Sequence, residues 1–544
     1  RAGRSPRIPA RSIEVRRVDY VNISQPTDRI GSPGPWPDPL SPLDGSWKPQ
    51  VGRNNPLWIT VTVPADAPAG QYTGIVTLTA RKWKREIELR LRVWDFALPE
   101  RTAIRSGFGV QPGSIARYHN LKTPGALARV WDLYMEAFRT RRIAPYNPMA
   151  LAPYRMSIAG QTWLGGTRDV GEAGTGAVSL RVSDTSPTDN IRADYAELVP
   201  IQPGTRYVLS WKCRTAAAGQ AYQITIGHYD ANRQWMWGRN NDISRTGDGT
   251  WTAELEDITD RIPADARYLN VTLRPAQWTE RGENTGTAWF DDIELRSSDG
   301  GDSLIAGGDF ETEPALDLKM DFTDFDKAAR RYLDEMGFNA FTIHIEGLPG
   351  GRYPNHFSGS FMGFSPDTPE YDTLMTRYGR MLEDHLEAHG WLKKAYVYWY
   401  DEPEVSDYPI VIEGAARLKR YFPRLKRLMT EQFEEELFGS VDLWCPITPA
   451  YDQARAHARQ RLGEEVWWYV CTGPKEPFCT LFIDHPAIEL RMWLWQTWQR
   501  RIDGILIWET TWWTSPQQFT GDVVQNPWED PMAYVADASG VWGN

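Results

Sequence analysis

The sequence predicts a multidomain chain of mixed α/β and all-β class: a (β/α)8 barrel preceded by a β-sandwich and interrupted by a second one. Three observations predict it. From Ala103 onward, strand-forming and helix-forming stretches alternate, the pattern of a parallel sheet with crossover helices. The alternation stops near residue 155 and resumes near 316, and the interval holds only short strand-like runs with turns between them. Third, the stretch KAYVYWYDEP, Lys394 to Pro403, is an aromatic, strand-forming run that halts at two adjacent carboxylates. Pro403 cannot continue a central strand, so Asp401 and Glu402 are expected at the strand's C-terminal end, where such barrels carry their chemistry. A helix N-cap at Asp401, ahead of Glu402 and Pro403, is the competing local reading.

Residues 1–99 read as β, with WITVTV, TGIVTLT and REIELRLRV separated by turn-rich segments. In the last run Ile87, Leu89, Leu91 and Val93 alternate with charges, so a half-buried antiparallel sandwich is expected. The barrel is expected over 100–154 and 316–530. Its strands are Ile104 to Val110, Ile143 to Asn147, Ala340 to Ile345, the run ending at Asp401, Lys426 to Thr430, Val441 to Trp444, Val466 to Cys471 and Gly504 to Trp508. Helices are expected at Gly125 to Arg141, Thr323 to Met336, Tyr371 to His389, Ile410 to Tyr421, Gln453 to Leu462 and Pro486 to Arg500, the first two on apolar residues near helical spacing. The interruption, 155–315, has strands at SLRVSD, RYVLSWKC, AYQITIGHYD, WTAEL, RYLNVTLRP and AWFDDIELR, the texture of a second β-sandwich.

Composition narrows the partners. A net charge of -11 argues against nucleic acid or an anionic membrane, which need basic patches. No apolar run is long enough to span a bilayer. The 26 Trp and 23 Tyr suit a carbohydrate substrate, because flat aromatic faces stack on sugar rings, although core packing uses many of them. Four cysteines without CxxC, and eight histidines without HExxH, give no support for a catalytic zinc, and no cofactor is expected. Cys471 and Cys479 bracket a Pro-containing loop and invite a disulfide, with two separate thiols slightly favoured. The chain opens on Arg1 without a signal peptide, which reads as a processed chain exported to a periplasmic or extracellular space.

Two resemblances sharpen these expectations. The strand phrases of the interruption, with GGDFE (Gly307 to Glu311) placed after FDDIELR instead of first, resemble circularly permuted jelly-roll carbohydrate-binding modules. That family sometimes holds a structural calcium near those strands, which makes Asp291, Asp292 and Glu311 weak candidates against a plain solvated turn. YVYWYDEP, VWWYVCTGPKEP, FIDHPAIELRMWLWQTWQRRIDGILIWE and the DFTDFDKAARRYL helix resemble glycoside hydrolase family 123, the β-N-acetylgalactosaminidases. The likeness implies substrate-assisted retention, in which the substrate's 2-acetamido oxygen attacks the anomeric carbon. Glu402 would protonate the leaving oxygen, and Asp401 would hold the acetamido N–H.

Further candidates come from the strand ends. His344 could hold a sugar hydroxyl or be a satisfied core histidine, and Tyr398, Tyr469, Trp508 and Trp512 could wall the pocket or pack the core. Glu509, directly after the last strand, is the rival: about 5 to 5.5 Å from Glu402 it would serve as nucleophile of an ordinary retaining glycosidase. A non-catalytic carbohydrate-binding protein is the reading from another class, and an intact Asp-Glu pair speaks against it.

Overall fold

Seven strands of the expected alternation join edge to edge in one parallel sheet. Their order is Phe341–Thr342, Ala395–Tyr400, Lys426–Met429, Leu443–Trp444, Glu465–Tyr469, Gly504–Ile507 and Arg105–Phe108. The structure is a computed structural model that describes residues 7–511 apart from 24–25, 44, 46, 81–82, 102, 159–160, 186, 188–189, 232, 299, 314–315, 351–358 and 367. Residues 144–146, within the expected second strand, lie between the two edges. The Phe108 amide donates to the Ala144 carbonyl (3.0 Å), the Tyr146 amide to Phe108 (2.8 Å) and the Thr342 amide to Tyr146 (2.6 Å). This segment makes a bridge and not a ladder, because Pro145 at its centre has no N–H to give. The sheet is therefore barrel-like, and Tyr146, Tyr396, Leu428, Leu443, Trp467 and Leu506 belong to one buried cluster.

The two ends of the sheet differ in kind. At the N-terminal ends of the strands, Glu465 is paired with Arg105 at 2.5 Å and with Lys426. At the C-terminal ends lie the carboxylates of the YDEP stretch. Helices Pro124–Thr140, Pro369–Ala388 and Tyr408–Tyr421 cover the outside, burying Trp131, Tyr378 and Val411 among others. Thr123 and Thr368 cap the first two through their side chains, and Pro at the first turn pre-sets each helix. The expected helix at Thr323 is α over Thr323–Ala329 and continues as a π-helix over Arg330–Glu335.

The interruption is a two-sheet antiparallel sandwich. One sheet has five strands, with Ser179–Asp184, Tyr207–Thr215 and Gly286–Ser297 at its centre; the other has six, including Ala221–Tyr229 and Tyr268–Arg274. Its own core contains Trp211, Ile224, Val271 and Phe290. The GGDFE segment runs beside Gly286–Ser297, with the Ile293 amide donating to Gly308 (2.9 Å) and Phe310 buried, but it forms no regular strand. The two ends of the insertion meet: Arg155–Ile158 pairs antiparallel with Leu318–Asp321, Ile158 opposite Leu318.

The N-terminal region differs from the expected packed sandwich. Its described strands form a three-stranded sheet, with Ile13–Ile23 at the centre, and a separate hairpin of Gly70–Ala80 and Trp83–Val93. No described residue of the hairpin is buried, and Ile75 and Ile87 are 67% and 51% exposed. Alternation aligns the apolar residues on one face, yet a two-stranded ribbon has no second layer of its own to cover them.

Candidate active site

Asp401 and Glu402 are brought together by a fault in their strand. In an ideal strand, consecutive side chains point to opposite faces. Here the pairing of Ala395–Tyr400 with Lys426–Met429 shifts register between Tyr398 and Tyr400, and the strand then ends. Glu402 follows with φ of +45°, a left-handed conformation that costs a non-glycine residue roughly 1 kcal/mol or more. Such strain persists where surrounding contacts over-determine it, and here Thr430 on the next strand supplies them. Its hydroxyl donates to Asp401 Oδ1 (2.8 Å) and accepts from the Glu402 amide (3.0 Å). The Tyr398 hydroxyl also donates to Asp401 Oδ1, leaving Asp401 Oδ2 without a partner among the described residues.

Glu402 is held from across the sheet. Tyr469, the last residue of Glu465–Tyr469, donates its hydroxyl to Glu402 Oε1. Glu402 is exposed as a residue, yet the protein around its carboxyl raises its pKa above the ordinary value by desolvation. The Tyr469 hydrogen bond works against that rise and the Asp401 charge adds to it. Negative charge dominates the surroundings: burial pushes the thiols of Cys445 and Cys471 up, and Glu402 raises both further.

A third carboxyl stands beside the pair and was not singled out from the sequence. Because Tyr400 pairs with Met429, Thr430 and Glu431 run alongside Asp401 and Glu402. Glu431 is 7% exposed, and its only hydrogen bond among the described residues is from the Gln432 amide. Burial pushes it up to about 7, against that amide and with help from Glu434 and Glu402. Its signal in the sequence is the one that marked Asp401: KRLMTE is also a strand that stops at a carboxylate.

The remaining candidates separate. His344 lies at the end of the neighbouring strand, open to solvent, with its ring 5.5 Å from that of Trp399. The protein around it lowers its pKa by desolvation while Glu346 opposes this, and it makes no hydrogen bond to the carboxylate pair. Trp508 is half-buried, its backbone so close to Gly109 that a Cβ there would meet the Trp508 carbonyl oxygen at 1.7 Å. Glu509 turns back on its own chain: Oε1 accepts from the amides of Thr510 (3.0 Å) and Thr511 (2.8 Å) and the Thr511 hydroxyl (2.6 Å). Its charge acts on Tyr134, whose hydroxyl is pushed up to about 12 by burial first and by Glu509 second. Trp512 lies outside the described residues. Cys471 and Cys479 are free thiols.

In the insertion, the three calcium candidates are engaged by the protein. Asp291 Oδ2 accepts from the amides of Gly174 (2.8 Å) and Thr175 (2.9 Å), and Glu311 Oε1 from Ala177 (2.7 Å) and Val178 (3.1 Å). Asp292 is ion-paired with Lys212 at 2.8 Å, so an ammonium supplies the positive charge there. A cavity of about 510 Å³ lies away from Asp401, between the insertion and the loop around Phe364.

A barrel-like parallel sheet with two carboxylates at the C-terminal end of one strand can carry glycosidase chemistry, and the match of the C-terminal part to a glycoside hydrolase catalytic domain gives the class of this protein, a glycoside hydrolase. That match covers residues 316–540 and is to the glycoside hydrolase 123 catalytic domain. The chain is similar to a family 123 glycoside hydrolase from Clostridium perfringens, studied for glycolipid glycan hydrolysis, with 13% identity over 93% of this chain and 68% of that one, at a TM-score of 0.48. It is also similar to a family 22 carbohydrate-binding module of Clostridium thermocellum, with 17% identity over 27% of this chain and 96% of that one, at a TM-score of 0.20. A xylan-binding domain from Paenibacillus barcinonensis gives 10% identity, 27% and 87% coverage and a TM-score of 0.20. No curated protein matches the chain.

Proposed function

We propose that this glycoside hydrolase is a retaining β-N-acetylhexosaminidase, of the β-N-acetylgalactosaminidase kind, working by substrate assistance on a complete (β/α)8 barrel. The observation that carries the reading is the unequal treatment of two adjacent carboxylates: Glu402 is driven toward its protonated form, while Asp401 is fixed by two hydroxyls at one oxygen, the other having no partner among the described residues. Glu402 gives its proton to the leaving glycosidic oxygen as the acetamido oxygen bonds to the anomeric carbon. Asp401 Oδ2 accepts the acetamido N–H and offsets the positive charge of the oxazolinium ring. Water then attacks the same carbon, Glu402 takes its proton, and the ring opens with configuration retained. Glu509, with one oxygen already accepting three hydrogen bonds from its own loop, is a poorer nucleophile than the substrate's own amide.

The test compares aryl glycosides with and without a 2-acetamido group and adds an N-acetyl thiazoline, which mimics the cyclic intermediate. Turnover confined to the 2-acetamido substrates, tight thiazoline inhibition, and Asp401→Asn crippled whatever the leaving group are expected. A wild-type enzyme indifferent to the thiazoline, with activity abolished in Glu509→Gln, would transfer the nucleophile to Glu509.

A further inference from the structure

Three side chains at the opposite end of the strand from the carboxylate pair meet on the outer helices. His385 and His389 are one helical turn apart at the end of Pro369–Ala388, which leads into the start of the strand that ends at Asp401. They lie at the N-terminal end of that strand, whereas the hydrolytic chemistry is at the other. Asp326 reaches them from Thr323–Ala329. His385 Nε2 is 2.7 Å from Asp326 Oδ1, His389 Nε2 is 3.9 Å from Asp326 Oδ2, and one ligand atom from each of the three residues falls within 4.8 Å of the others.

Both rings are held in place. His385 lies flat on Phe322, with centroids 3.7 Å apart and 5° between planes, and His389 on Trp391 at 4.6 Å and 19°. The Nδ1 of His389 is 3.0 Å from the His385 carbonyl, which can only accept, so Nδ1 carries the proton and Nε2 presents its lone pair to the cluster. A backbone carbonyl fixing the tautomer of a ligating histidine is a recurrent outer support of metal sites. The C-terminal end of a helix also favours a cation.

We propose that Asp326, His385 and His389 form a binding site for a borderline divalent transition metal of the Zn²⁺ class, with the solvent side left for water. Two imidazoles and one carboxylate match that class and not calcium or magnesium, which prefer oxygen ligands. Bonds of about 2.0–2.2 Å in tetrahedral geometry set ligand atoms roughly 3.3 Å apart. The observed separations, 2.7 Å to Oδ1 and 3.9 Å to Oδ2, lie on either side of that value and all three ligand atoms fall within 4.8 Å, so shifts on the order of an ångström would close the site. The ion takes the place of the proton between His385 and Asp326, and that proton moves to His385 Nδ1 or to solvent. Arg330, 3.3 Å from Asp326 Oδ2 and 55% exposed, is free to swing outward as the ion arrives.

The full chain, stripped with a chelator and titrated with Co²⁺, should bind one equivalent with the intense visible band of a four- or five-coordinate site, and Zn²⁺ should displace it. His389→Gln and Asp326→Asn remove one ligand each from different helices, and each should weaken Co²⁺ by about 100-fold or more, beyond the ~10–100-fold of losing an outer support. Zn²⁺ should raise the melting temperature of the wild type and leave that of His389→Gln unchanged. Absence of stoichiometric Co²⁺ uptake, or equal uptake by the wild type and both variants, would overturn the site.

Discussion

Tyr469 opposes the desolvation that keeps the Glu402 proton in place. A hydrogen bond donated to the ionised carboxylate favours that form, so Tyr469 holds the Glu402 pKa below where burial alone would put it. In Tyr469→Phe the basic limb of the kcat/KM profile, which reports the free enzyme's general acid, should move to higher pH. A profile that falls in height without moving would mean that Tyr469 only shapes the pocket. Glu431 offers a second titration, read in stability. Its folded carboxyl binds a proton up to about 7 against an ordinary 4.5, so the native state holds the extra proton between those values and stability falls as pH rises through them. The loss is at most about 3 kcal/mol. Glu431→Gln should therefore flatten the decline in melting temperature between about pH 5 and about pH 8, and an unaltered decline would show that this carboxyl is ionised throughout. Asp401 and Glu402 were legible in the sequence because charge abuts an apolar run, a local contrast. The hydroxyl bonds of Tyr398 and Thr430 that make the pair unequal were not, because they depend on the register between two strands.

At the level of elements, the same distinction decides what could be read. Buried strands such as Ala395–Tyr400 are continuous apolar runs and stood out, whereas the Thr368 cap before Pro369 went unused and that helix was expected only from Tyr371. The strand Asn241–Thr246 was missed because it contributes one apolar residue, Ile243, to the core. The hairpin 70–93 showed the right alternation, yet alternation says which residues share a face and not whether anything covers it. The insertion, in contrast, declares its own attachment. Ile158 and Leu318 face each other across an antiparallel ribbon, at the spacing that a two-residue turn closes. Replacing residues 159–317 with Asn-Gly should leave a folded enzyme that still cleaves a small aryl glycoside. Among the described residues the insertion touches the barrel at loops, as Gln161 does at the Met362 carbonyl, and at the helix Pro369–Ala388, where Arg377 donates to the Leu316 carbonyl. A deletion variant with native circular dichroism and no turnover would show instead that the insertion builds part of the active site.

Over the whole molecule, the N-terminal sheet and the active site are joined through one buried junction. The loop after Ile13–Ile23 descends onto the segment that follows Tyr469, where Asp484, 1% exposed, accepts from the Thr27 amide (2.8 Å) and the Thr27 hydroxyl (2.7 Å). Asp28 lies beside it, 3.1 Å from His485 Nε2 and accepting from the Glu476 amide (3.1 Å). Burial alone would raise Asp28, but those partners with the Ile30 and Gly31 amides hold it down to about 2, so its contribution is present above about 4 and lost as pH falls through about 2. The junction leaves no room: a Cβ on Gly31 would lie 2.0 Å from Asp484 Oδ2. Two substitutions from opposite sides should therefore have one effect. Asp484→Ala strands the Thr27 amide and Gly31→Ala pushes the carboxylate off it, each costing about 1–3 kcal/mol. Because the segment they release begins at Tyr469 and Cys471, both should also lower kcat/KM and loosen residues 471–485 to proteolysis, without moving the pH limb that Tyr469 sets. Urea midpoints, kinetics and limited digestion of the two variants check this together. A loss of stability with kcat/KM intact would confine the N-terminal sheet to bracing the barrel, and equal protection of 471–485 in wild type and variants would show that other contacts hold the segment.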